Sequence, residues 1–325
     1  MVDREAILAA QDEIRLAKRA ELKVDRERQA QLLALQQPDP VRFLLWSALH
    51  VAVWVAAAAA ILLSEHWLVQ LLAVLVLGNQ MHAFTILQHD CGHQNAFRSG
   101  TWNLWVGRFF AWFIVFPYSS FTECHKHHHR YLGDAERDPD EWNYAGGVKW
   151  MFLRIAVFVP RFTYFSLVRY GSKVRNLVLR ELVFNLLTMV ALGVWFASMG
   201  MLYQFVLIFI LPVLLLALLI NPISRGYEHF PMATLGSEDE QRLDLAQNTI
   251  TIPSRVLSLI WANINYHVEH HVYPGVPFFN LHKVHALLDN KPFLRDRWLL
   301  ARLFARQPQE PRHGAAPAAD ASCGD

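Results

Sequence analysis

Charge is what this chain has least of. Asp, Glu, Lys and Arg make up 18% of its 325 residues, against about a quarter in an ordinary soluble domain. The formal net charge is only +2, too small a basic excess for a nucleic-acid partner. Cysteine is nearly absent as well. Cys91, Cys124 and Cys323 form no C-x-x-C pair, which excludes a disulfide framework. No G-x-G-x-x-G or G-x-x-x-x-G-K-[ST] loop occurs, so no dinucleotide or P-loop phosphate site is predicted. The first residues also lack the basic stretch and apolar core of a cleavable signal peptide.

Apolar residues fill the space that charge leaves, at 54% of the chain with 11 Trp and a mean hydropathy of +0.18. That argues against a wholly soluble protein and against a chain disordered as a whole. Four apolar runs stand out, at 43–63, 67–87, 182–201 and 203–220. Each is close to the ~20 residues that carry a helix across a ~30 Å hydrocarbon core. The turns within each pair are short: Ser64-Glu65-His66 in one case, the stretch around Gly200 and Met201 in the other. The expected fold is therefore all-α: an integral membrane protein with four transmembrane helices in two hairpins. Residues 1–40 are expected to form a polar N-terminal helix stopped by Pro38 and Pro40, 41–305 the membrane domain, and 306–325 a disordered tail.

Neither short turn contains Lys or Arg. By contrast Arg4, Arg15, Lys18, Arg19, Lys23, Arg26, Arg28 and Arg42 precede the first run, and Arg154, Arg161, Arg169, Lys173, Arg175 and Arg180 lie between the second and third. The positive-inside rule then places both termini and the long middle segment in the cytoplasm, beneath what is expected to be a bacterial inner membrane.

Sixteen histidines are the anomaly, and they cluster. His89 and His93 are four apart; His125, His128 and His129 form an H-x-x-H-H spacing; His267, His270 and His271 repeat it. On a helix, residues i, i+3 and i+4 share one face, so each cluster can aim its imidazoles at one point. Imidazole suits Fe, Zn, Cu and Ni. Eight rings exceed the four donors of a tetrahedral zinc site and fit two metal ions better. The clusters can share metal only on one side of the membrane. The 31 residues between His93 and His125 are too few for two crossings, which need ~40 in helix alone. The apolar stretch 102–118 is therefore predicted to be an interfacial or re-entrant hairpin, with Trp102, Trp105 and Trp112 as anchors. The basic, aromatic stretch 151–180 is predicted to lie at the headgroups.

With these motifs in view, the sequence resembles the membrane-bound fatty acid desaturases. The resemblance spans roughly 84–287 and rests on HDCGHQNAF, on HKHHH with the following Asp138-Pro139-Asp140, and on NYHVEHHVYPGVPFFNLHKVH. It implies a four-span fold whose cytoplasmic helical cap carries a non-haem di-iron centre. It further implies that two Fe ions are held by His89, His93, His125, His128, His129, His267, His270 and His271. His229, in Gly226-Tyr227-Glu228-His229, matches the family's additional ligand site. Dioxygen as co-substrate, a fatty acyl substrate on lipid, CoA or carrier protein, and an external donor such as ferredoxin or cytochrome b5 with its reductase complete the implied chemistry. Two departures bear on substrate: Phe121 stands where many members have Trp, and Ile250 in Asn248-Thr249-Ile250-Thr251 where many have Arg.

The activity implied is dioxygen-dependent insertion of a double bond into an acyl chain. A hydroxylase or carotenoid ketolase on the same scaffold is the first alternative. A non-catalytic metal-handling membrane protein is the second, and it calls for ionisable ligands along the spans. Asp90, Glu228 and Glu269 are candidates to orient the rings. His127 points off the shared face of its cluster, and His82 lies two turns below His89, where it would line a channel. His282 and His285 are expected in packing or surface roles, and Cys91 as a small buried residue.

Overall fold

The computed structural model describes residues 26–134, 136–144, 148–229 and 249–288. Residues 1–25 and the expected tail at 306–325 lie outside them. The polar N-terminal stretch is helical at Arg26–Leu35 (α1). Four helices are long and apolar enough to cross a membrane: Pro40–Leu63 (α2), Trp67–Gly92 (α3), Ser172–Ser198 and Leu202–Gly226. Among the described residues the fold is all-α, with a single isolated bridge between Thr251 and Tyr266.

Local chemistry sets where these helices begin and end. Asp39 caps α2, its side chain accepting from the Arg42 N–H at 3.0 Å, with Pro40 in the first turn where a missing N–H costs nothing. His66 caps α3 by accepting from the Leu68 N–H. α3 runs five residues beyond its apolar run, through Gly92, and so carries the first histidine pair on a continuous helix. Gln94, at φ 63°, then reverses the chain.

After this reversal comes Gly100–Phe113 (α4), capped by Ser99. At ~1.5 Å per residue it is about 21 Å long, short of the ~30 Å core. Val115, at φ 52°, turns the chain again, and Tyr118–Tyr131 (α5) brings the second cluster back to the first. Trp102 and Trp105 are exposed, whereas Trp112 is drawn inward, its indole N–H donating to the Thr188 hydroxyl at 2.7 Å. Pro117 offers α5 no side-chain cap. The Glu181 carboxylate supplies one from the third span, accepting from the Ser119 N–H at 2.7 Å, the Ser119 hydroxyl at 2.9 Å and Arg108 Nε at 2.7 Å. An acid at a helix N-terminus also meets the positive end of the dipole. The helix that carries the second cluster is thus tied to a membrane span.

Glu141–Tyr144 (α6), Val148–Ala156 (α7) and Phe158–Arg169 (α8) follow, the last two bent by 67° at their junction. Arg154 and Arg161 lie over the Trp142 ring at 4.8 and 4.9 Å, cation–π contacts that hold this segment together. Ser120 and Ser166 hydroxyls meet at 2.9 Å and fasten α5 to α8.

The third span, Ser172–Ser198 (α9), turns at Gly200 into a fourth that is not a regular helix. It reads Leu202–Phe205 (α10), a π-helical turn at Val206–Ile210, Leu211–Leu215 (α11), a second π-helical turn at Leu216–Ile220, and Asn221–His229 (α12). Each π turn ends two residues before a proline, Pro212 or Pro222. Proline lacks an N–H and its ring collides with the carbonyl four residues back, so a locally wider turn relieves both. The fourth span packs on α3 where Gly78 leaves no side chain. A Cβ there would stand 2.6 Å from Leu215 Cδ2. In lipid, such close packing replaces the hydrophobic drive between helices. The chain resumes at Arg255–Ile260 (α13), the short His267–Val272 (α14) and Leu281–Leu287 (α15).

Candidate metal centre

All nine predicted histidines meet at the junction of α3, α5, α12 and α14. Their ring nitrogens form two adjoining groups. His89, His93, His125, His129 and His270 make the first, with ligand atoms all within 4.8 Å of one another. Nε2–Nε2 distances there are 3.0 Å for His89–His270 and His93–His125, and 2.9 Å for His125–His129 and His129–His270. The second is built on His229. His128, His229 and His271 satisfy the same limit, as do Glu228, His229 and His267. Here Nε2–Nε2 distances are 3.2 Å for His128–His229, 2.9 Å for His229–His267 and 3.2 Å for His267–His271.

These separations test the donor set. Two donors at right angles on a metal, each ~2.1 Å away, stand about 3.0 Å apart. Nitrogens crowded to that distance fit an ion between them. They fit a hydrogen-bonded network poorly, because neutral imidazole has one N–H and one lone pair. Burial pushes the pKa values of His125, His129, His267, His270 and His271 well below the ordinary value, and the neighbouring rings add to the effect. His93 is held down to about 4, by burial and then by Lys126. These six rings are thereby held in the neutral form, which is the form that binds metal.

A family profile described as fatty acid desaturase matches residues 65–300. The chain belongs to the fatty acid desaturase family. Among its relatives is a dihydrorhizobitoxine desaturase of Bradyrhizobium elkanii, 27% identical over 309 residues, covering 87% of this chain and 86% of that protein. A sphingolipid delta(4)-desaturase of Homo sapiens is 26% identical over 264 residues, covering 76% and 74%. An sn-1 oleoyl-lipid 12-desaturase of Picosynechococcus is 23% identical over 265 residues, covering 74% and 75%. As a member of this family the chain is an oxidoreductase of lipid metabolism with membrane-spanning helices.

Carboxylates around the rings divide by role in a way their positions in the sequence do not announce. Asp138 touches a ring directly. Its Oδ1 accepts from His128 Nδ1 at 3.0 Å and from the Asp140 N–H at 2.8 Å, and its Oδ2 accepts from the Gly133 N–H at 2.9 Å. Such a bond fixes the tautomer and turns Nε2 toward the His229 ring. Burial pulls the His128 pKa down, but the Asp138 carboxylate outweighs it and leaves the pKa raised. Asp140 pairs with Arg225, whose guanidinium also lies 4.4 Å from the Phe158 ring centroid.

Of the three acids expected to orient rings, Asp90 instead accepts from the Phe278 N–H at 3.1 Å and holds the loop after the third cluster. Glu269 accepts from the Thr251 hydroxyl at 2.5 Å and meets His285 Nδ1 at 2.6 Å. His285 thus has a bonded partner rather than a plain packing role. Glu228 faces the rings, and burial pushes its carboxyl up to about 8, against the pull of Arg225. The role of Asp138 was missed in the sequence although D-P-D was visible there, because an acid beside proline is equally a turn signal.

Among the described residues, the other histidines fall outside both groups. The His127 ring lies against Tyr170 and Tyr131 at 4.9 and 5.5 Å. His82 is buried against Trp261 at 5.6 Å and lines, with Thr85, Ile86, Asn221 and Arg225, a cavity that reaches the ring cluster. His282 is exposed, and Cys91 and Cys124 are buried free thiols.

Proposed function

We propose that the protein is a dioxygen-dependent di-iron desaturase that introduces a double bond into a fatty acyl chain with electrons from an external donor. The observation that carries this reading is the convergence of nine buried or half-buried imidazoles on two adjoining points. His89, His93, His125, His129 and His270 would hold one iron, and His128, His229, His267 and His271 the other. When bound, the irons would supply, from dioxygen and the donor's electrons, the oxidant that no side chain offers for an unactivated methylene.

The chain's own residues do the rest. Asp138 holds His128 in the tautomer that presents Nε2, and α3, α5 and α14 fix the ring directions from helical backbone. A small cavity of about 30 Å³ lies against the rings, lined by Ile86, Phe121, Phe158 and Ile264 together with His82, Asn221, Arg225 and Glu228. Stretch 102–118 would lie at the interface. The absence of basic residues from the two short turns supports a cytoplasmic centre and termini, with a bacterial inner membrane as the site of residence and ferredoxin or cytochrome b5 as the donor.

The names of the relatives support a second substrate class beside the acyl lipid, a sphingoid long-chain base. Expression in a host of defined lipid profile, followed by mass spectrometry, tests both. A product two hydrogens lighter, in the acyl or the sphingoid fraction and absent from His128→Ala, is the expected result. A product heavier by one oxygen would replace desaturation with hydroxylation.

A further inference from the structure

The two groups of rings do not have the same chemistry, and Glu228 is the reason. It is buried, 3% exposed, on α12 immediately before His229. Its Oε2 stands 3.8 Å from His267 Nε2. The Glu228 carboxylate, His229 and His267 place their ligand atoms within 4.8 Å of one another. One turn back on the same helix, Arg225 would be its natural ion partner at i, i+3. That guanidinium pairs with Asp140 and lies over the face of Phe158, and it acts on Glu228 only through space. The carboxylate is left looking into the cavity that the ring nitrogens share. At 3.8 Å this oxygen and the His267 ring nitrogen are too far apart for a hydrogen bond, and the gap between them suits an ion that takes both as donors.

We propose that Glu228 is an anionic donor to the second metal, joining His128, His229, His267 and His271. This rests on the two-metal reading above and adds to it. One ion has five imidazoles, all neutral. The other has four imidazoles and a carboxylate, a harder oxygen donor that removes one unit of positive charge from that ion alone. The inequality makes the second ion the more tightly held of the two for a hard, oxygen-preferring cation. It also makes that ion the less readily reduced, because a negative ligand favours the higher oxidation state.

The test uses the full chain in detergent, stripped of metal and reloaded anaerobically with 57Fe(II). Iron per chain under graded chelator and the Mössbauer spectrum are the readouts, for the wild type, Glu228→Gln, Glu228→Ala and His93→Ala. Wild type is expected to hold two irons with two distinguishable ferrous doublets. In Glu228→Ala one iron is released at chelator concentrations about tenfold lower or less, and one doublet shifts while the other stays. His93→Ala perturbs the other doublet. Glu228→Gln, nearly isosteric, shifts the same doublet as Glu228→Ala and decides the matter if the alanine variant does not fold. Retention of both irons within twofold, with both doublets unmoved in Glu228→Gln, would overturn the proposal. A wild type that binds fewer than two irons would instead overturn the two-metal reading on which it rests.

Discussion

Replacing Asp138 by Asn is the most direct way to separate a ring-orienting carboxylate from a merely buried one. Three groups converge on the native carboxylate: His128 Nδ1 at 3.0 Å, the Asp140 N–H at 2.8 Å and the Gly133 N–H at 2.9 Å. Asparagine keeps one acceptor oxygen and turns an NH2 toward one of these donors, with almost no change of volume. Partners of this kind around a metal-binding His are worth about 10–100-fold in affinity, which is about 1.4–2.8 kcal/mol. Alanine is a blunter tool. It would leave three buried donors unpaired at about 1–3 kcal/mol each, a sum that approaches the ~5–15 kcal/mol of a whole domain. Asp138→Asn is therefore expected to fold, with a melting temperature near wild type, and to lose metal to chelator 10–100-fold more readily. Chelator titration of the iron-loaded protein with elemental analysis measures the loss, and thermal unfolding in the same detergent supplies the control. Iron affinity within twofold of wild type would refute the assignment of Asp138 as the group that orients His128.

Other consequences follow from the same geometry. The unfolded chain protonates its histidines near pH 6.5, whereas folded His93 resists until about 4. Between those values the unfolded state binds more protons at His93 and at the five other lowered rings, which outnumber the raised Glu228 and His128 acting in the opposite sense, so stability falls as pH falls; unfolding midpoints of the metal-free protein at pH 8 and pH 5 should differ in that direction, and equal midpoints would refute the lowered pKa values of these rings. Gly107→Ala places a methyl into the Tyr118 ring at the start of α5; the expected cost is about 1–3 kcal/mol, read as a lowered melting temperature, and a wild-type value would mean that the turn is looser than described. Glu181→Ala removes the acceptor of Ser119 and Arg108, so proteolysis within 114–120 should become faster while the α3 segment stays protected.

Much of this protein was legible in its sequence because the relevant physics is local. Runs of some twenty apolar residues predict spans wherever they occur, since hydrocarbon thickness is fixed and a helix satisfies its own backbone. The spacing of the three clusters is equally local. Residues i and i+4 lie about 40° apart around a helix, and i+3 lies about 60° to the other side. That rule explains a pattern visible only in the assembled fold. His89 and His93, or His125 and His129, are i, i+4 pairs, and each pair stays within the first group; His267 and His271 form such a pair and stay within the second. The i+3 members, His128 and His270, each cross to the group opposite their own pair.

Which pair went to which group was not decided by spacing. It depended on how α3, α5, α12 and α14 are packed, through contacts far apart in the chain such as Glu181 with Ser119 and Gly78 with Leu215. The same holds for the acids. Asp90, Asp138, Glu228 and Glu269 all sit in or near the histidine motifs, and nothing in their positions distinguishes a loop clamp from a ring partner. The sequence alone determined the residue types, the four candidate spans and which histidines of each cluster share a helix face, because those follow from run length and backbone periodicity. Only the tertiary structure decided which carboxylate meets a ring and which meets a backbone N–H. A hydrogen bond depends on tenths of an ångström between elements, and no helical period carries that information.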